Sequence, residues 1–222
     1  MELGIDCADD RPGIALVGEG EVVRMVTWVT ERNHSVELLP AIDRLLAEGG
    51  VDKHALTGVL VDVGPGGYAG LRVGVSIAKA LAHALGAALA GVGRLELDAY
   101  AATEAGERRR TVAVHRAGRG EVAWAAYAPG DGGWREELAP RISKPEALAA
   151  AIEAGDALTG DVDDELRAVA EGRGASVVAP EMHRVAALAA LGHRRIAEGR
   201  TDDPRALVPL YLRGPAIGPQ RP

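Results

Sequence analysis

The chain reads as an α/β protein made by duplication, each half opening with a meander of strands and continuing with alternating helices and strands in a mixed sheet. Three observations predict this. Residues 2–28 contain three short strand-like runs in succession, and residues 111–134 repeat that pattern. Behind each set come segments with apolar residues at helical spacing, separated by short apolar runs.

Residues 2–7, 13–17 and 21–28 form the first meander, with Gly18-Glu19-Gly20 as the turn between the last two. A helical pattern follows, with Leu38, Leu39, Ile42, Leu45 and Leu46 on one broad face and Gly49-Gly50 closing it. Pro40 inside it predicts a late start or a kink. Residues 59–63 read as a short apolar run, broken by Asp62, as in a strand buried on both faces, and lead straight into GPGGYAGLR. From 69 to 85 the period is helical, with Arg72, Ser76, Lys79 and His83 on one narrow polar stripe and a wide apolar surface elsewhere. Gly70, Gly74 and Ala78 recur every four residues, which lets a second helix approach closely, from this chain or from another. An apolar strand over 87–92 leads to a helix around Leu95 and Leu97, and falling hydrophobicity marks a boundary near residue 105.

The second unit begins with the alternating runs TVAVHRA and EVAWAAYA, joined by Gly118-Arg119-Gly120, and a third strand around Trp134. Ser143-Lys144-Pro145-Glu146 sets a capping serine, an early proline and a glutamate in the order that starts a helix. Short strands near Leu158 and Val177 alternate with helices near Leu166 and over 185–197. The tail after Arg213, rich in proline and glycine, is expected to be loose.

Composition narrows the chemistry. The 222 residues are 47% apolar, enough for a sizeable core, and with no Phe, three Trp and four Tyr that core favours close helix packing over large aromatic pockets. A net charge of −7 repels a phosphate backbone, so any RNA involved is expected to be gripped by another component. The single cysteine, Cys7, excludes an internal disulfide and a multi-cysteine metal site, and its place in an apolar run predicts a small buried residue. The start MELGIDCADD has neither a basic segment nor a signal-length apolar stretch, so a soluble, cytoplasmic protein is expected.

Catalytic signals are sparse. GPGGYAGLR, between a strand and a helix, could present backbone N–H groups to an anion. It lacks the GK[ST] ending of a P-loop, does not follow the first strand, and spaces Gly64, Gly66 and Gly70 poorly for a dinucleotide fingerprint. A tight turn with close helix packing is the favoured reading. Asp6 could orient a metal or phosphate, as the first-strand aspartate does in sugar-kinase and actin-like ATPases, or could cap its own turn. Those enzymes need a second phosphate loop, and Leu158-Thr159-Gly160-Asp161-Val162 is a poor version of one. The histidines His34, His54, His83, His115, His183 and His193 form no HExxH or i, i+4 pair, and no serine sits in a GxSxG elbow. No catalytic residue, cofactor or metal ligand is therefore assigned.

Five segments in order resemble one family, TsaB, a subunit of the bacterial complex that makes N6-threonylcarbamoyladenosine at position 37 of tRNAs reading A-starting codons. GPGGYAGLRVGVSIAKALA resembles the family's GPGSFTGLRIGxxxAkgLA, and NHSVELLPAIDRLL resembles its HSexLlPxixxlL. Leu3-Gly4-Ile5-Asp6 with the following hairpin is similar to its opening, VHRAGRGEVAWAAY to its DARRGEVYxAxY, and PLYLR to its PxYLR. Gly67-Tyr68-Ala69 replaces the family's Ser-Phe-Thr, removing two hydroxyls that could meet a phosphate; His115 replaces an Asp, and Cys7-Ala8 replaces Thr-Ser or Thr-Ala.

The resemblance implies a duplicated RNase H-like (actin-like, ASKHA) fold and a non-catalytic subunit. It implies dimerisation with the catalytic paralogue TsaD, with the ATPase TsaE joining that pair; a homodimer is conceivable in isolation, and tRNA contact is expected to be indirect. An actin-like ATPase or small-molecule kinase is the alternative. The expected lobes are 1–104, with a segment at 205–213 returning to it, and 105–204, followed by a flexible tail at 214–222. The two helices with the best-matching motifs would form the partner surface, through Leu38, Leu39, Ile42 and Leu45 on one and Leu71, Arg72, Val75, Ser76 and Lys79 on the other.

Overall fold

The computed structural model describes residues 1–31, 33–103, 109–130 and 133–212. Strands β1 (Glu2–Asp6), β2 (Gly13–Gly18) and β3 (Glu21–Thr27) form an antiparallel meander, while β4 (Gly58–Gly64) adds parallel to β1 and β5 (Ala88–Gly93) parallel to β4. The resulting order is β3-β2-β1-β4-β5. Glu19 and Gly20 both take positive φ, 53° and 83°, as a tight hairpin requires.

The second half repeats the plan with β6 (Thr111–Gly118), β7 (Glu121–Gly130), β8 (Gly133–Ser143), β9 (Ala157–Gly160) and β10 (Ser176–Val177). Its order is β10-β9-β6-β7-β8, again with two antiparallel pairs on one side of the first strand and two parallel pairs on the other. The same order in both halves is the duplicated RNase H-like, actin-like arrangement.

Helices α1 (His34–Gly49) and α2 (Tyr68–Leu85) cover the outer face of the first sheet, and α4 (Pro145–Ala151) and α5 (Asp164–Gly172) cover that of the second. Between the sheets lie α3 (Arg94–Ala101) and α6 (Arg184–Ala197). They cross over: Leu95 and Ala99 of α3 pack on Ala113, Ala123, Ala125 and Tyr127 of the second sheet, whereas Val185, Leu188 and Leu191 of α6 join Ala15, Val17, Leu60 and Ala90 of the first. Alanines on both inner faces let the two sheets close on one thin helical layer, which explains an apolar fraction so poor in aromatics. Residues 200–212 also return to the first sheet: Asp202 accepts from the Gly91 N–H at 2.7 Å, and Leu210 N–H donates to the Val63 carbonyl at 2.7 Å. No helix among the described residues is long and apolar enough to cross a membrane.

Several local expectations are corrected. Pro40 neither delays nor ends α1, which begins at His34 and closes on a left-handed Gly50 (φ 62°). Leu39 is not on the buried stripe but 47% exposed. Ser143 is not a cap: it ends β8, where its Oγ accepts from Trp124 Nε1 and donates to the Lys144 carbonyl. Lys144, held extended by the following proline, takes the N-cap position with no side-chain bond. The boundary near 105 and the tail at 214–222 lie outside the described residues.

The small-residue ridge of α2 meets the end of β1 and, at Gly70, also His34 at the start of α1, so a second helix of this chain does approach there. A Cβ on Gly70 would lie 2.3 Å from the Cys7 carbonyl oxygen, and one on Gly74 would lie 3.2 Å from Cys7 Cβ. Gly70→Ala therefore sets a helix-propensity gain of about 1 kcal/mol against a backbone clash costing about 1–3 kcal/mol. Net destabilisation in urea unfolding is the expected outcome. Gly172→Ala on α5, which meets nothing within 4 Å, should be neutral or mildly stabilising.

Candidate functional site

The carboxyl ends of β1 and β4 and the start of α2 meet where an actin-like ATPase would hold metal and phosphate. Two features decide what this place can do: the use already made of the loop's backbone, and the charges beside it. In the loop, the Gly67 N–H donates to the Ala8 carbonyl at 2.7 Å and the Gly64 N–H to Asp62 Oδ1 at 2.7 Å. A Cβ on Gly66 would sit 2.2 Å from the Ala8 oxygen, so the glycine is needed for chain to pass chain. The loop is a packed turn in which the Gly64 and Gly67 amides are bonded to protein.

Asp6 caps its own turn, accepting from the Ala8 N–H at 3.0 Å, and also belongs to a buried ionic cluster. Arg184, at the start of α6, reaches Asp6 Oδ2 at 3.1 Å, Asp9 Oδ2 at 2.5 Å and Asp98 Oδ1 at 3.4 Å, with Asp62 Oδ2 at 3.9 Å. Arg94 of α3 adds contacts to Asp98 at 3.2 Å and Asp9 at 3.4 Å. Burial opposes the Arg184 charge, but Asp6, Asp98, Asp9 and Asp62 outweigh it and hold the guanidinium firmly protonated. Burial also acts against the Asp9 carboxylate, yet Arg184 and Arg94 bring it below its usual range. Asp62 goes the other way: full burial, and then the charge of Asp6, push its carboxyl well up, and its Oδ2 has no hydrogen-bond partner. Burial, followed by Asp6, Asp62 and Asp9, likewise raises the Cys7 thiol, which suits packing and not nucleophilic attack.

Across the lobe junction, Thr159, Gly160 and Asp161 at the end of β9 face Arg94, Asp98 and Arg184 over a cleft of about 510 Å³. Asp161 is turned away toward its own sheet, bonded to His115 Nδ1 at 2.9 Å and to the Arg116 N–H at 3.0 Å. The His115 bond, more than the opposing burial, draws its carboxyl well below the usual range. Arg184 and backbone amides engage the Asp6 and Asp9 oxygens on this side of the cleft, while Asp62 Oδ2 and the Thr159 hydroxyl, both buried, keep no hydrogen-bond partner among the described residues.

The residues expected on a partner face divide sharply. Leu38, Ile42, Leu45, Leu71 and Val75 are buried beneath α1 and α2 and anchor those helices to the sheet. Leu39, Arg72 and Ser76 are exposed, and Lys79 is half-buried with its Nζ donating to the Leu207 carbonyl at 2.7 Å. Arg72 also stacks over Tyr68 and bonds its hydroxyl at 2.5 Å. The outer surface of the pair adds exposed Val36, which sequence reasoning did not single out. Nor did it find Arg94, Arg184, Asp9, Asp62 or Asp98; only Asp6 carried a local signal.

Removing Arg184 strands several carboxylates at once, so Arg184→Met should cost about 3–5 kcal/mol in denaturant unfolding. Combining it with Asp6→Asn should cost less than the sum of the two. Asp62 carries the opposite pH signature. Its folded value lies above its unfolded one, so ionising it opposes folding above about pH 4. Asp62→Asn should be neutral or stabilising at pH 7, with that advantage shrinking as pH falls toward about 4. A larger loss at neutral than at acid pH would mean an ionised Asp62 paired with Arg184.

Residues 25–172 match the family model described as TsaD, tRNA N6-adenosine threonylcarbamoyltransferase. The chain is 37% identical over 94 residues to the tRNA threonylcarbamoyladenosine biosynthesis protein TsaB of Bacillus subtilis, a stretch covering 42% of this chain and 41% of that protein. With TsaB of Escherichia coli identity is 30% over 147 residues, 66% of this chain and 63% of the relative, so both matches span less than two thirds of the relative's length. YeaZ from Pseudomonas aeruginosa superposes with a TM-score of 0.79 at 26% identity, covering 95% of this chain and 99% of that one. The chain belongs to the TsaB family, within the wider TsaD-type family of tRNA threonylcarbamoyladenosine proteins.

Proposed function

We propose that this protein is a non-catalytic subunit in the formation of N6-threonylcarbamoyladenosine on tRNA, and that it acts by pairing with a TsaD-type catalytic chain. The observation that carries this reading is the Arg184–aspartate cluster, which fills with protein charge the position where an actin-like enzyme would place metal and nucleotide. The internally satisfied loop amides at Gly64 and Gly67 support it. The same features weigh against an actin-like ATPase or kinase. Pairing would use the outer surface of α1 and α2, where Val36 and Leu39 stand exposed beside Arg72 and Ser76, and TsaE would join through the resulting pair. The buried leucines beneath would serve that surface by fixing the two helices on the sheet.

Co-purification with the TsaD of the same organism, and tRNA modification assayed with and without this chain, test the reading. Binding to that TsaD together with dependence of modification on this chain is expected. ATP hydrolysis by the isolated, stringently purified protein that disappears in Asp6→Ala would overturn it. Within the complex, Ser76→Trp should leave the melting temperature unchanged and overpack the interface by about 1–3 kcal/mol, a roughly five- to 150-fold loss of affinity for TsaD. Leu39→Asp should act in the same direction. Unchanged affinity in both variants would remove this face from the interface.

A further inference from the structure

A second cleft, of about 560 Å³, lies on the far edge of the lobe junction, between β5, the β7–β8 pair and the returning segment at 207–211. Glu136 of β8 stands directly opposite Tyr127 of β7 in the ladder, and Glu96 of α3 approaches from the helical layer. Arg195 of α6 is the cation lining this wall, and it is fully engaged: it bonds Glu96 Oε2 at 2.5 Å and also the Gly91 carbonyl. Among the described lining residues, two carboxylates, Glu96 and Glu136, stand against one cation.

Tyr127 is the informative residue. It is only 3% exposed, its hydroxyl makes no hydrogen bond to another described residue, and that hydroxyl opens onto the cleft it lines, where a ligand can reach it. Burial, and then the charges of Glu96 and Glu136, push its ionisation well above the ordinary range, so the hydroxyl stays neutral and available to accept a bond. Burial likewise raises the Glu96 carboxyl despite Arg195, so a further positive charge nearby would be favourable. The opposite wall is apolar, with Val208 65% exposed beside Pro209 and Leu210.

We infer that this cleft binds a small organic amine, its ammonium group lying between Glu136 and Glu96 and donating to the Tyr127 hydroxyl, its apolar body against Val208 and Pro209. The chemistry follows from the lining: surplus carboxylate selects a cation, the Tyr127 hydroxyl oxygen can accept from an N–H, and the apolar wall favours an arm over a bare metal ion. This site opens on the other side of the 207–211 segment from the proposed α1–α2 pairing surface, which that segment touches through Lys79 and Tyr68, and it goes beyond the proposed function.

Calorimetry on the full chain with three probes of one shape tests it: phenethylamine, 2-phenylethanol and phenylacetate. Trp134, stacked on Tyr127 with ring centroids 6.0 Å apart, supplies a fluorescence readout of the same event. Saturable binding of phenethylamine alone is expected, with a dissociation constant on the order of 1 mM for a ligand of this size. Glu136→Gln and Tyr127→Phe should each weaken it about five- to tenfold with no fall in melting temperature, since neither side-chain group removed bonds to another described residue. Equal binding of all three probes would overturn the inference. So would no saturation well above the millimolar range, or phenethylamine binding that both variants leave unchanged, which would mark a diffuse attraction to an acidic surface.

Discussion

Arg184 carries a full charge into the junction of the two lobes, and the carboxylates of Asp6, Asp9 and Asp98 come with it. An unpaired ion there would be prohibitively costly, whereas an ion with several hydrogen-bonded partners is tolerated only in one geometry. That geometry ties the end of β1, the β1–β2 turn, α3 and α6 to a common point. Because α3 and α6 come from different halves of the chain and each packs on the other half's sheet, the cluster also fixes how the halves meet. At the neighbouring Asp62, burial and then the charge of Asp6 push the carboxyl up, so its neutral form is favoured more than those of the carboxylates that bond Arg184 directly.

The Gly-rich loop shows the same logic in backbone form. Gly66 and Gly70 let the start of α2 come so close to Cys7 and Ala8 that carbonyl oxygens occupy the space a side chain would need. Loops of this kind at a helix start are commonly read as phosphate cradles, but a cradle requires N–H groups facing outward. Here those of Gly64 and Gly67 turn inward. Charge and backbone thus both act at this one place, the end of β1 and the start of α2. On the proposed pairing surface of α1 and α2, binding energy would come from a few exposed side chains, while the residues beneath supply rigidity.

Duplication gives the two halves one strand order but not one surface. The first sheet carries long helices on its outer face, the second only short ones, and β10 is reduced to two residues. The edge cleft at Tyr127 arises because the returning C-terminal segment lies along β4 and β5, placing apolar residues opposite carboxylates of β8 and α3. A place of that composition exists only where three distant stretches of chain converge.

Periodicity and turn chemistry in the sequence determined the elements and their duplicated order, because strand alternation, helical spacing and turns such as Gly18-Glu19-Gly20 are properties of neighbouring residues. They also predicted that Cys7 is buried, that GPGGYAGLR is a packing turn and that Asp6 caps its own turn. Local pattern could not separate Leu38 from Leu39, since both are leucines on one helix and only the sheet beneath decides which is covered. It misplaced the cap at Ser143 by one residue because Trp124, a strand away, claims that hydroxyl. Above all it could not assemble the ionic cluster: Arg184 and Asp6 are separated by 178 positions, and nothing in the neighbourhood of either announces the other. Tertiary structure alone decided that pairing, because a buried charge selects its partners by where the folded chain excludes water, and proximity in sequence plays no part.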